Sequence, residues 1–264
     1  PSVGPGLVLN DLIESDFFNF IPLNQIYRQS DNSYIPFLAK EIKNNDLSEE
    51  FLTKKDDYNF VQVNSDNIKS AIKQITDLSL KKGLDERNVQ ILAPMYKGEA
   101  GIDALNLCLQ EIYNPRKRNK EEVIYGEFVY RESDKVLQLV NDLDNNVFNG
   151  DIGFIESIMG NKIIIDYDGN KVTYEKKDLK NIKHAYAISI HKSQGSEFMH
   201  VIMPISKSYY KMLYNKLIYT GVSRAKKSLT LVGEAAAFQR AVANNYSSSR
   251  KTSLKEQITI VYNK

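Results

Sequence analysis

A chain of 264 residues with 42% hydrophobic, 10% aromatic and 26% charged side chains has ample material for a core, which excludes collagen-like, mucin-like and largely disordered classes. At roughly 100–200 residues per domain, its length suits one large domain or two modest ones. No run reaches the ~18 apolar residues that span a bilayer, so no membrane partner is expected. The single cysteine, Cys108, excludes an internal disulfide and suggests a reducing compartment, the cytoplasm by default. The formal charge of +2 hides an asymmetry: residues 201–264 hold eleven Lys/Arg against two Asp/Glu, or +9, and residues 1–200 hold 24 against 31, or −7. A basic segment rich in tyrosine suits contact with a polyanion, the alternative being a solvated face.

The chain opens on Pro-Ser-Val-Gly-Pro-Gly, a turn-rich run without an initiator methionine that reads as a loop cut from something longer. After it, short apolar runs alternate with amphipathic stretches, the pattern of a parallel sheet with helices on its faces. Helices are expected at Leu7 to Glu14, Ser33 to Lys43, Asp66 to Leu80, Gly101 to Ile112, Tyr209 to Thr220 and Ala235 to Asn244. Strands are expected at Ile21 to Tyr27, Asn59 to Val63, Val89 to Ala93, Ala185 to Ile190, Val201 to Pro204 and Leu229 to Val232. Ser65 or Asp66 is the expected N-cap of the third helix and Gly83 its stop.

From about Val123 to Lys183 the period changes to strands broken by turn residues: Lys135 to Val140, Gly153 to Ile158, Lys162 to Tyr167 and Lys171 to Tyr174. Asn149-Gly150, Gly160-Asn161 and Asp168-Gly169 supply the turns, the last fitting a two-residue hairpin. This reads as a small barrel inserted into the α/β domain, or else as a β-rich excursion of the main sheet.

The chemistry-bearing segments are IYRQ at 26–29, APMYKGEAGIDALN at 93–106, VFNGDIG at 147–153, HKSQGSEF at 191–198 and YTGVSRAKKSLTLVG at 219–233. In HKSQGSEF, Gly195 permits a backbone conformation or close approach that a side chain would obstruct, and Glu197 offers acceptors to a ribose hydroxyl. Tyr96 and Lys97 follow a strand end, where open α/β sheets place binding loops, and could stack on a base and neutralise a phosphate. Tyr209, Tyr210, Tyr214 and Tyr219 could do likewise, although their helical spacing favours core packing. Arg116, Lys117, Arg118 and Lys120 read as a solvated loop.

Taken in order with PSVGPG, these segments resemble the RecD-like branch of superfamily 1 DNA helicases, the exodeoxyribonuclease V alpha-subunit type, over nearly the whole chain. The resemblance implies a second RecA-like motor domain over 1–122 and 184–264 with an SH3-like β-barrel inserted over 123–183. It implies ATP with Mg2+ as cofactor and an ATP-dependent 5′-to-3′ helicase activity. Expected partners are single-stranded DNA, an N-terminal motor domain of the same full-length chain and the subunits of a nuclease–helicase complex. No G-x-x-x-x-G-K-[ST] phosphate loop occurs, so the phosphate and metal ligands are expected in that N-terminal domain, and the fragment alone is expected to be inactive.

By the same resemblance Arg28 and Arg224 are arginine fingers, and Gln29, Gly195 and Glu197 lie at the nucleotide. Tyr96, Lys97, Phe148, Asn149, His191, Lys192 and Ser193 lie toward DNA or couple the two sites. The alternatives are a strand-end histidine with a satisfied hydrogen bond for His191, a role confined to fixing its loop for Gln194, and a turn for Asn149-Gly150. The rival functional reading is a non-enzymatic nucleic-acid or protein-binding module built around the barrel.

Overall fold

The computed structural model describes residues 7–21, 33–210, 212–244 and 252–262. Arg28, Gln29 and all but the first residue of the strand expected at Ile21 to Tyr27 lie outside the described residues. Helices α1 (Val8–Glu14) and α2 (Tyr34–Asn44) are followed by β1 (Tyr58–Gln62), α3 (Ile68–Lys81), β2 (Val89–Ala93) and α4 (Ile102–Tyr113). The chain then leaves this alternation for β3 (Glu122–Tyr125), β4 (Phe128–Arg131), β5 (Lys135–Gln138), β6 (Ile152–Met159), β7 (Lys162–Tyr167), β8 (Asn170–Glu175) and β9 (Ile182–His184). It returns with β10 (Ala187–Ser189), β11 (Phe198–Ile205), α5 (Asn215–Val222), β12 (Ala225–Gly233), α6 (Ala235–Ala243) and α7 (Leu254–Tyr262).

The α/β part is one parallel sheet in the order β1-β12-β11-β2-β10. Helices cover the sheet, and this explains why β2 is buried at every position and, apart from Gln90, reads as an apolar run rather than an alternation. The covering helices bury one stripe each. In α2 it is Ile35, Leu38, Ala39 and Ile42, the i, i+3, i+4, i+7 set, and in α3 it is Ile68, Ile72 and Thr76. Each fully buried Ile or Leu contributes about 1.5–3 kcal/mol relative to exposure.

The seven strands β3 to β9 form a hairpin and a five-stranded antiparallel sheet in the order β8-β7-β6-β5-β9, closing on a separate apolar cluster that includes Val136, Ile155, Ile163, Ile165 and Ile182. The hairpin expected at Asp168-Gly169 has both residues in the left-handed region, φ 52° and 92°, the geometry whose twist matches paired strands. These strands form no part of the parallel sheet.

Two local expectations are corrected. The helix expected from Tyr209 starts only at Asn215: the Ser206 hydroxyl accepts from the Ser208 N–H and sets a short 3-10 turn at Lys207–Tyr209, whose last hydroxyl donates to Ala100 O at 2.6 Å. Asn215 in turn donates its amide to Ile42 O and Val242 O. Neither Ser65 nor Asp66 caps α3, because the Ser65 hydroxyl is drawn across the fold to Glu234 and Ser206. Strands β3, β4 and β9 and helix α7 carried no sequence signal strong enough to be expected. Gly83 does follow the end of α3, at φ +82°.

The two cores meet at a buried polar knot. Asp134, fully buried, accepts from Gln110 Nε2 at 2.6 Å, Asn114 Nδ2 at 2.7 Å, the Arg131 N–H at 2.7 Å and Tyr186 Oη at 2.9 Å, with His184 Nε2 at 3.2 Å. Burial alone would raise its pKa, but His184, the Asn114 amide and the Arg131 N–H more than offset that and hold the carboxyl below its usual range. Beside it Lys135 is buried with its ammonium donated to Glu86 O at 2.6 Å and Gln90 Oε1 at 2.9 Å, and burial pushes it down to about 8.

Replacing Asp134 with Ala strands these donors, and a loss of about 3–5 kcal/mol is expected in urea unfolding. Since the folded carboxyl is depressed, its contribution is fully present above about pH 4 and fades as pH falls below that value. Lys135 acts with the same sign of slope, in an alkaline window. Between about pH 8 and 10.4 the unfolded chain binds more protons than the folded one, so stability should climb by up to about 3 kcal/mol across that window, and Lys135→Met should abolish the climb.

Candidate functional site

Strands β2 and β10 are neighbours, with Ser189 opposite Ala93, so the loops that follow them leave the same, C-terminal edge of the sheet. In the first loop Tyr96 is 39% exposed and Lys97 is exposed. Their backbone is fixed by the start of α4: the Ile102 and Asp103 N–H groups donate to Met95 O and Tyr96 O, and a Cβ on Gly101 would sit 2.5 Å from the Tyr96 and Lys97 carbonyl oxygens. Only glycine fits there, which holds the Tyr96 and Lys97 side chains at the rim.

The second loop, 190–197, runs the height of the sheet. It leaves β10 at the C-terminal edge and enters β11 at Phe198, which pairs with Ala225 at the opposite edge. At its upper end His191 is exposed, with Nε2 3.5 Å from the Tyr214 hydroxyl. Lys192 donates its ammonium to Asn149 Oδ1, so the VFNGD turn of the insertion and the HKSQG turn of the sheet, far apart in sequence, meet in space. That turn is itself rigid: the Asp151 carboxylate accepts the Phe148 N–H at 2.7 Å and Asn141 Oδ1 accepts the Asn149 N–H at 2.9 Å. Phe148 and Asn149 are both exposed.

Ser193 departs from expectation. It is fully buried and its hydroxyl donates to Ile190 O at 2.7 Å, so it shapes the turn and presents no surface to a ligand. Gly195 has φ +90° and open space around it, so the backbone conformation, and not close approach, is what requires glycine.

At the lower end of the loop sit Glu197 and Arg224. Glu197 pairs with Lys226 at 3.0 Å, a partly exposed and therefore screened pair that the sequence reading missed. Arg224 is half-buried at the end of α5. Its Nε donates to Thr220 O, Nη1 to Ser196 O and Nη2 to Ser223 Oγ, each at 3.1 Å. The Phe198 N–H donates back to Arg224 O at 2.9 Å. The guanidinium thus fastens the 190–197 loop to α5 and is held as a fixed planar fork. Arg224 therefore has a part in the fold besides any chemistry, and Arg224→Ala should cost about 2 kcal/mol in urea unfolding. Among the described residues no group of three or more His, Cys, Asp or Glu is placed to hold a metal ion, and no helix is long and apolar enough to cross a membrane.

A parallel RecA-like sheet with an inserted antiparallel barrel and this through-running loop resembles the C-terminal region of a superfamily 1 helicase. Residues 184–232 match the UvrD-like helicase C-terminal domain. Residues 105–172 match the ATP-dependent RecD-like DNA helicase SH3 domain, a match that begins within α4. The chain is 36% identical over 170 residues to the ATP-dependent RecD2 DNA helicase of Deinococcus radiodurans, covering 64% of this chain and 23% of that protein. It is 32% identical over 165 residues to the RecBCD enzyme subunit RecD of Buchnera aphidicola, covering 60% and 27%.

The Pif1 helicase from Bacteroides in complex with ADP-AlF3 and ssDNA shares the fold, with a TM-score of 0.50, 17% identity and coverage of 92% of this chain and 56% of that one. Within the superfamily, the chain corresponds to the C-terminal region of the RecD-like helicases. It spans about a quarter of the length of the curated relatives it matches.

Proposed function

We propose that this chain is the second motor domain of an ATP-dependent 5′-to-3′ DNA helicase that translocates on single-stranded DNA. In this reading residues 1–122 and 184–264 form the motor and residues 123–183 its insertion. The observation that carries the reading is the 190–197 loop. One continuous segment holds His191 and Lys192 beside the insertion's Asn149 at one edge of the sheet, and Glu197 beside the anchored Arg224 at the other. A segment of that kind suits a motor, in which closure around nucleotide must be felt at the strand.

On the nucleotide side, bound ATP with Mg2+ supplies the phosphoryl group. The residues present fit it: Arg224 offers a half-exposed cationic fork held by backbone carbonyls, and Glu197 a partly exposed carboxylate for a ribose hydroxyl. Arg28 and Gln29 join them by resemblance, and Gly195 shapes the turn. An arginine reaching across a domain cleft stabilises charge on the γ-phosphoryl oxygens, typically by ~10³ to 10⁵ in rate. The sequence has no phosphate loop, so those ligands would come from a companion motor domain. On the strand side, Tyr96 and Phe148 offer faces for bases, and Lys97, His191, Lys192 and Asn149 offer donors to phosphates. The named relatives include a RecBCD enzyme subunit, which supports subunits of a nuclease–helicase complex as a further partner class.

The test is direct. A labelled oligonucleotide should bind the chain weakly, with log affinity falling linearly in log salt. The chain alone should release phosphate from ATP only at background, and turnover should appear when it is joined to a phosphate-loop motor domain. In that joined enzyme Arg224→Ala should lose ~10³-fold in turnover, equivalent to about 4 kcal/mol of barrier, with oligonucleotide affinity retained. Arg224→Lys should rescue poorly, because a point charge lacks the planar fork. Salt-indifferent binding, or turnover in Arg224→Ala close to that of the parent, would overturn the proposal.

A further inference from the structure

Resting on that reading, we infer that Lys183, a residue of the insertion, binds a phosphate of the single strand and carries the DNA contact from the motor onto the insertion. Four observations converge on it. Its ammonium lies over the Tyr96 ring, 5.0 Å from the centroid, and 5.8 Å from the Phe128 centroid, so one lysine lies between an aromatic of the motor loop and an aromatic of the β3–β4 hairpin. Its nearest carboxylate, Asp103 Oδ1, is 3.9 Å away at a site where both side chains are more than a third exposed, a pair that is weak and readily exchanged.

Its backbone is immobilised. Lys183 pairs with Leu137 in the sheet and precedes His184, which stacks on Tyr130 at 4.6 Å and joins the Asp134 knot, so the ammonium swings from a fixed root. Lastly, Lys97 follows Tyr96 directly, so a second exposed cation belongs to the same loop as the ring beneath the Lys183 ammonium. Glu99 in the same loop is the other acidic group nearby in sequence and is exposed.

A cation interleaved with aromatic faces is the arrangement that grips single strands without reading sequence. In the chain without DNA the rings hold the protein's own ammonium. When a strand enters, a phosphate takes over that ammonium, and Tyr96 is uncovered for a base. Loop and insertion then act on the same nucleotide.

The experiment is fluorescence anisotropy of the whole chain with a labelled single-stranded oligonucleotide across a salt series, in wild type, Lys183→Met, Lys183→Arg and the control Lys171→Ala. Methionine keeps an apolar stem between the rings and removes the charge. Lysine 171 sits on β8 in an exposed pair with Glu156. Lys183→Met should weaken binding about threefold to tenfold at low salt, equally for different base sequences, and should lower the log–log salt slope by about 0.7. Lys183→Arg should stay within about twofold of wild type, and Lys171→Ala should leave slope and affinity unchanged. The melting temperature of Lys183→Met should match wild type, which separates a binding role from a packing one. An unchanged slope in Lys183→Met while wild type binds would overturn this inference and leave the helicase reading standing. Failure of wild type to bind any oligonucleotide would overturn both.

Discussion

A carboxylate buried in protein is costly unless the surrounding groups replace the water it gave up, and Asp134 is surrounded by donors from four separate pieces of chain. Gln110 and Asn114 come from α4 and its end, the Arg131 N–H from the β3–β4 hairpin, His184 from β9 and Tyr186 from the approach to β10. None of these segments can shift without leaving the charge short of a partner. Rings reinforce the arrangement, with Tyr130 and Tyr186 on either side of His184 and Tyr113 stacked on Tyr186. The insertion is therefore set on the motor at one angle, and everything proposed for the rim depends on that angle.

Seen from this knot, the rim is a composite. The motor supplies the loops after β2 and β10, the insertion supplies the Phe148–Asp151 turn and the root of Lys183, and the contacts between them are a polar bond from Lys192 to Asn149 and the Lys183 ammonium over the Tyr96 ring. The base is buried and satisfied, whereas the rim is wet and exchangeable. This division lets ligand contacts at the rim change without disturbing the packing beneath.

The parts legible in the sequence were those governed by local rules. A run apolar but for Gln90 and bounded by turn signals located β2 to the residue, and alternation with Asp168-Gly169 located β7 and its hairpin. The start of α5 was not legible, because helical spacing continues through Tyr209 while a serine cap and a hydroxyl bond to Ala100 impose another path. Ser193 sits in a polar run and reads as surface, yet its hydroxyl is spent inside the turn. Motif order pointed to Arg224 and Glu197, but nothing local announces that Arg224 grips Ser196 O or that Lys226 faces Glu197. Lys183 lay in no motif at all, and only the folded juxtaposition with Tyr96 and Phe128 marks it.

The position of β10 beside β2 has a kinetic consequence. These strands are sequence-distant neighbours, and joining them directly would require closing the whole intervening loop before any contact rewarded the closure. The insertion removes most of that cost. Its strands β5, β6 and β7 pair with their immediate successors, contacts that are local in sequence, and the pairing of β5 with β9 brings the two ends of the barrel together. The barrel thus acts on the motor as a splint: once it is closed, the effective loop between β2 and β10 is far shorter than the chain that separates them.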